Sequence, residues 1–131
     1  MALKLNDSQS LQDERISWIE DLHTLLQGNR QERFAYAFEA CSRQHRDRLK
    51  PLLQTWTLYW RDAFLIASKA RVVPINADWK TEINELACAL SVEQIERAFL
   101  ATENALNTLE NTNVNPQLLT EVLLLDWPTL N

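Results

Sequence analysis

The chain is expected to fold as an all-α bundle of five or six antiparallel helices, and three observations point there. Apolar residues recur at spacings of three and four along most of the 131 residues, the period of one helix face. Nowhere do they alternate with period two for long enough to make a convincing strand. Glycine occurs once, at Gly28, where ordinary usage of about 7% would give roughly nine. Glycine supplies the positive φ angles of tight hairpins, phosphate-cradling loops and nucleophile elbows. Its scarcity therefore counts against β-hairpin proteins, P-loop enzymes and dinucleotide folds together. The length suits a single domain over residues 1–131, large enough to bury a core without disulfides or metal.

Residues 1–9 are expected to be a flexible lead into the first helix, which should start near Ser10, since Ser10 and Asp13 have capping-box spacing. Its stripe is Leu11, Ile16, Trp18, Ile19, Leu22, Leu25 and Leu26, and Gly28 sits where a left-handed residue would end it. Asn29 and Glu32 then open a second helix, whose inward stripe reads as Phe34, Ala37, Phe38 and Cys41. Glu39 and Arg43, four apart, read as a solvated pair on that helix.

Pro51 is tolerated only in a first helical turn, so the third helix should begin between Asp47 and Lys50 and run to about Ala70. Trp56, Tyr59, Trp60 and Phe64 give it a broad aromatic face, with Arg61 and Asp62 on another side. Helices this rich in large rings belong at the centre of a bundle. Val72, Val73 and Pro74 stop it and give the longest connector. A fourth helix is expected from Asp78 to Leu90, with Ile83, Leu86, Ala87 and Leu90 inward. The capping box Ser91–Gln94 separates it from a fifth, carrying Ile95, Ala98, Phe99, Ala105, Leu106 and Leu109. Asn115 caps a sixth helix with Pro116 at its first position, and Trp127 and Pro128 end it.

Lys plus Arg number 13 and Asp plus Glu 18, a formal charge of -5. That balance argues against wrapping nucleic-acid phosphates, which needs a basic face. No stretch approaches the roughly 20 apolar residues of a membrane span, and the first residues lack a signal peptide's apolar run. Two cysteines make no disulfide framework and suit a reducing compartment. A cytoplasmic protein with no membrane contact is the expectation.

Candidate chemistry is thin. Cys41 and His45 are four apart and would share a face of a continuous helix, but a zinc site needs about four ligands and no second pair supplies them. His23 and Cys88 stand apart from any such cluster. The carboxylates of Asp13, Glu14, Glu20 and Asp21 fall on exposed or early helical positions. Arg43, Gln44, His45 and Arg46 lack the spacing of helical nucleases. Neither nucleotide-binding glycine motif occurs. Trp56, Tyr59, Trp60 and Phe64 have leucine, threonine and one Arg61 beside them rather than the cations of a base-stacking platform. No catalytic residue, cofactor, metal or small-molecule substrate is therefore expected. The last helix is the feature that core packing alone explains least. Leu118, Leu119, Val122, Leu123, Leu124 and Leu125 cover most of its circumference, so it is either central to its own bundle or partly covered by another chain.

Three segments together resemble a known family: Trp56-Thr-Leu-Tyr-Trp60-Arg61-Asp62, Ile75-Asn76-Ala-Asp78, and Asn113-Val-Asn115-Pro116-Gln-Leu118-Leu-Thr-Glu121-Val-Leu-Leu. They look like the C-terminal domain of the bacterial DNA polymerase III delta-prime subunit and, more distantly, of gamma/tau, over about Asp13 to Pro128. The resemblance implies a helical collar, five of which close into a ring holding the clamp loader together. It implies partners among the other loader subunits, gamma/tau and delta, and no direct contact with nucleic acid. In that family ATP binding, the arginine finger and DNA contact belong to two AAA+ modules preceding the collar. Their Walker motif, Ser-Arg-Cys triplet and zinc-binding cysteines do not occur in these 131 residues. The chain is then either a piece of a longer subunit or a stand-alone helical adaptor or regulator with a collar-like fold. On this reading Asn115 and Pro116 set the start of the last helix, Glu121 sits a turn further, and Leu118, Val122 and Leu125 contribute packing surface. Trp56 and Trp60 would anchor the helix that it packs against.

Overall fold

In a computed structural model, which describes residues 2–71 and 73–130, six α-helices follow one another and no strand occurs among the described residues. They are α1 (Ala2–Gln27), α2 (Arg30–Ala40), α3 (Leu49–Ala67), α4 (Lys80–Ala89), α5 (Val92–Asn111) and α6 (Pro116–Asp126). Single turns of 3-10 helix, Arg46–Arg48 and Ala77–Trp79, lead into α3 and α4. The expected all-α bundle is thus observed.

α3 is the centre. It packs against α5, α4 and α1, and Trp56, Tyr59, Trp60, Leu53 and Ala63 are fully buried along it. The indole N–H of Trp56 donates to the Trp18 carbonyl at 2.8 Å, tying α3 to α1. The Tyr59 hydroxyl lies 2.6 Å from Nε2 of His23, whose ring also stacks 6.2 Å from that of Trp79. Burial lowers the His23 pKa, with the Glu82 and Glu85 carboxylates opposing it, and raises that of Tyr59. The phenol therefore holds its proton and donates it to a neutral imidazole. Phe64 stacks on Phe99 of α5, with ring centroids 6.2 Å apart.

Local signals set most helix starts. Asn29 and Glu32 form a reciprocal capping box, as do Ser91 and Gln94. Four details depart from the sequence reading. First, α1 begins at Ala2 rather than Ser10, because no glycine or proline before Ser10 interrupts a run of helix-compatible residues; the lead 2–9 is helical. Second, Gly28 has no positive φ. That conformation belongs to Lys69, at φ 60° after α3, where Ala70 N–H donates to Leu65 O at 2.9 Å and Lys69 N–H to Ile66 O at 3.0 Å. Third, α2 stops at Ala40, so Glu39 meets His45 Nδ1 at 3.6 Å instead of Arg43. Cys41 and His45 consequently share no helix face.

The fourth departure concerns Asp62, expected on a side away from the core and found completely buried. Its carboxylate accepts from Ile75 N–H at 3.0 Å, Asn76 N–H at 2.7 Å and the Asn76 side-chain amide at 2.8 Å. Those three donors lie in the long connector, which a buried carboxylate thereby fastens to α3. The Arg61 guanidinium is 4.0 Å away, half exposed, and plays the smaller part.

Candidate protein-interaction surface

The sixth helix is built as the sequence suggested at its start. Asn115 Oδ1 accepts from the N–H groups of Gln117 and Leu118 at 3.0 and 3.2 Å, and Pro116 occupies the first turn. Thr120 turns its hydroxyl back to Pro116 O at 2.8 Å and is itself fully buried. Thr120, Leu123 and Leu124 form the inward edge, lying on α2 and α5. Glu121 is half-buried one turn after the cap and accepts from the Gln117 amide at 3.3 Å.

Contact with Trp56 and Trp60 comes through Trp127, just beyond the helix. Its ring centroid lies 4.7 Å from that of Trp56 and 5.5 Å from that of Trp60, both edge-on. The expectation that those tryptophans anchor the helix against which α6 packs is corrected accordingly. α6 rests chiefly on its neighbours α2 and α5, and its C-terminal continuation meets α3 through Trp127. Trp127 is fixed there by its indole N–H donating to Thr102 Oγ1 at 3.0 Å.

A residue that the sequence did not single out closes the end of α6. Arg33 of α2 is 4% exposed. Its Nη1 donates to Leu124 O at 2.6 Å and Trp127 O at 2.9 Å, its Nη2 to Pro128 O at 2.8 Å, and its Nε to Leu25 O at 3.1 Å. One guanidinium thus serves the carbonyl ends of α1 and α6 together, where the dipoles of both helices favour a cation. Nearby, Leu130 N–H donates to Leu26 O at 2.7 Å. At the other end of the contact Cys41 Sγ lies 3.6 Å from Thr120 Oγ1, so α2 and α6 run antiparallel. Burial raises the Cys41 thiol pKa; the Thr120 bond opposes that and the Glu121 charge adds to it.

Leu118, Val122 and Leu125 face solvent, 59%, 53% and 43% exposed, at spacings of four and three that make one stripe opposite the buried edge. On α2, Phe34 and Phe38 were expected inward and are instead exposed, Phe38 to 60%. The inward positions there belong to Arg33 and Ala37, because the carbonyls ending α1 and α6 need donors that a phenyl ring cannot provide. Cys41 and Glu121 mark the seam between the two helices, and the phenylalanines lie on the flank of α2 turned away from Tyr36 and α1. The bundle therefore offers two neighbouring apolar ridges to solvent, more than scattered surface leucines would. Of the residues singled out from sequence, Trp56 and Trp60 are core, Asn115 and Pro116 are a cap, and Leu118, Glu121, Val122 and Leu125 lie on or beside this face.

Residues 9–129 match the family described as DNA polymerase III, delta subunit, C terminal. The chain belongs to that family. No characterised protein and no solved structure matches it. Membership gives this delta-family domain a clamp-loader-related role in DNA replication and implies association with other components of that polymerase. Arg33 could have been suspected from sequence on one ground alone: it is a long cationic side chain one turn into a capped helix, immediately before the apolar run Phe34-Ala35-Tyr36-Ala37.

Proposed function

We propose that the chain is the collar module of a delta-prime-like clamp-loader subunit, a single domain that joins gamma/tau and delta in the cytoplasm and performs no chemistry itself. The observation that supports this reading best is the exposed stripe Leu118–Val122–Leu125 on a helix whose opposite edge is firmly held. An apolar stripe on a rigid helix favours burial against another helix, whereas a catalytic site needs converging polar groups. The match to the delta-family C-terminal domain supports looking for those partners within the same replication machinery.

The test mixes this chain with the collar regions of gamma/tau and delta at tens of micromolar, the weak end of specific association, and reads mass by light scattering. A complex is expected. Val122→Glu together with Leu125→Glu should abolish it while shifting monomer stability by less than about 0.5 kcal/mol, as surface changes do. No rise in mass for the unaltered chain would overturn the proposal and favour a free-standing helical adaptor. A complex that survives both substitutions would place the contact elsewhere.

A further inference from the structure

Away from α6, two adjoining cavities of about 470 and 330 Å³ form a groove between α1, α3 and the connector that precedes α4. Arg15, Ile75 and Asn76 line both and so mark the divide between them. Leu58 walls the larger cavity and Ile16 the smaller, and with Ile75 they leave three large aliphatic side chains exposed around one groove. Apolar surface gathered in this way, rather than scattered singly, marks a place where another molecule docks.

The charge in the groove narrows what that molecule is. Among the described residues Arg15 is the one ionisable side chain lining the larger cavity. No carboxylate pairs with its guanidinium among the described residues, although 18 residues of the chain are acidic. The exposed side-chain amide of Gln54 lines the same cavity and offers a further donor. Asp78 lines the smaller cavity and would repel a negative charge placed there. The groove thus favours one anionic group at the divide, over Arg15, with uncharged apolar groups on either side.

Its walls are already fixed. The buried Asp62 carboxylate holds the backbone N–H groups of Ile75 and Asn76, and the Trp56 indole holds α1 to α3 through the Trp18 carbonyl. A preformed groove spares an occupant the cost of ordering its site.

We propose that this groove docks a segment of a partner protein in which one acidic side chain lies between two large aliphatic ones. The carboxylate meets Arg15, whose planar fork pairs with it through two parallel hydrogen bonds. One aliphatic side chain packs on Leu58 in the larger cavity and the other on Ile16 in the smaller, and both shield the ion pair from water. The assignment goes beyond the collar reading and does not rest on it, since it uses neither α6 nor the exposed ridge.

The test titrates the peptide N-acetyl-Leu-Glu-Leu-amide into the ¹⁵N-labelled full chain and follows amide and indole NMR shifts. Saturable shifts in the millimolar range are expected at Ile16, Trp18, Leu58, Ile75 and Asn76. N-acetyl-Leu-Gln-Leu-amide should bind about three- to fivefold more weakly, the size of a partly exposed ion pair. N-acetyl-Ala-Glu-Ala-amide should bind at least about fivefold more weakly, for want of apolar surface to bury. In Arg15→Gln the glutamate and glutamine peptides should bind equally, with far-UV circular dichroism reporting that this exposed substitution leaves the helices intact. Equal binding of those two peptides by the unaltered chain, or a preference for glutamate that survives Arg15→Gln, would overturn the assignment. So would an alanine peptide that binds as well as the leucine one, shifts confined to other surfaces, or no saturable shift up to about 20 mM, beyond the weak end of specific association. Octanoate binding more than about tenfold tighter than the leucine–glutamate peptide, a gap of about 1.4 kcal/mol, would overturn it in favour of a free fatty carboxylate. None of these outcomes bears on collar assembly, which light scattering reads separately.

Discussion

Arg33→Met should destabilise the chain by about 2–4 kcal/mol and loosen the end of α6 while the rest of the bundle keeps its helices. Methionine keeps most of the apolar stem and removes the donors, so the substitution isolates the hydrogen bonds. Four carbonyls lose a partner: Leu25, Leu124, Trp127 and Pro128. Two of them retain another, since Leu25 O accepts from Gly28 N–H and Leu124 O from Trp127 N–H. Pro128 is half-exposed and water can replace the arginine there. A buried acceptor stripped of its partner costs about 1–3 kcal/mol, and relief of the buried guanidinium's desolvation offsets part of the total. For 131 residues, an unfolding entropy of about 2.1 cal/mol/K per residue converts 2–4 kcal/mol into a fall in Tm of roughly 7–15 °C. Calorimetry measures that fall. Amide exchange adds a local signature: protection at Trp127 and Leu130 should drop before that of α3. Arg33→Lys should recover less than half, because one ammonium cannot reach both Leu25 O and Pro128 O. A melting temperature within about 2 °C of the parent for Arg33→Met, equivalent to well under 1 kcal/mol, would refute the claim that this side chain organises the end of α6.

Trp60 is fully buried, so Trp60→Ala should cost about 3–5 kcal/mol by urea unfolding whether or not a partner is present. Trp60→Phe should keep most of that stability, because the Trp60 indole N–H has no acceptor among the described residues to lose. Lys69→Gly should raise stability by about 1 kcal/mol, since a lysine at φ 60° bears a strain that glycine avoids; an unchanged or lowered urea midpoint would contradict that. The folded-state pKa of His23 is depressed from 6.5, chiefly by burial. Its neutral form therefore stabilises the fold fully above pH 6.5, and that contribution is lost as pH falls from 6.5 through the folded-state value. Comparing urea midpoints at pH 8 and pH 5 for the parent and His23→Gln should show a smaller acid loss in the variant. An identical pH dependence would show that the imidazole contributes nothing to it.

What could be read from the sequence follows from how local each signal is. Asn29–Glu32, Ser91–Gln94 and Asn115–Pro116 fix helix starts through atoms three residues apart or fewer, and all three occur as expected. The aromatic face of α3 was equally legible, since three large rings on one side of a helix have nowhere to go but the centre. Gly28 misled because a glycine permits a left-handed cap without requiring one, while Lys69 takes that conformation against its preference. Asp62 misled because a lone carboxylate beside Arg61 reads as solvated until the connector carrying Ile75 and Asn76 folds back over it.

The candidate surface shows the same division more sharply. That α6 is apolar on nearly every side was visible in its leucines, but which leucines face inward depends on where α2 lies. α2 is placed by Arg33, whose donors seek the carbonyl ends of α1 and α6, contacts 91 to 95 residues away in the chain. Once that guanidinium is buried, helical geometry turns Phe34 and Phe38 outward, and the antiparallel contact turns Leu118, Val122 and Leu125 the same way. A periodicity rule assigns the phenylalanines to the core because they are apolar. The fold assigns the arginine there because unpaired carbonyls cost more than an exposed ring. The apolar ridge is thus the complement of a polar requirement in the interior, which is why removing Arg33 should disturb both the end of α6 and the surface it presents.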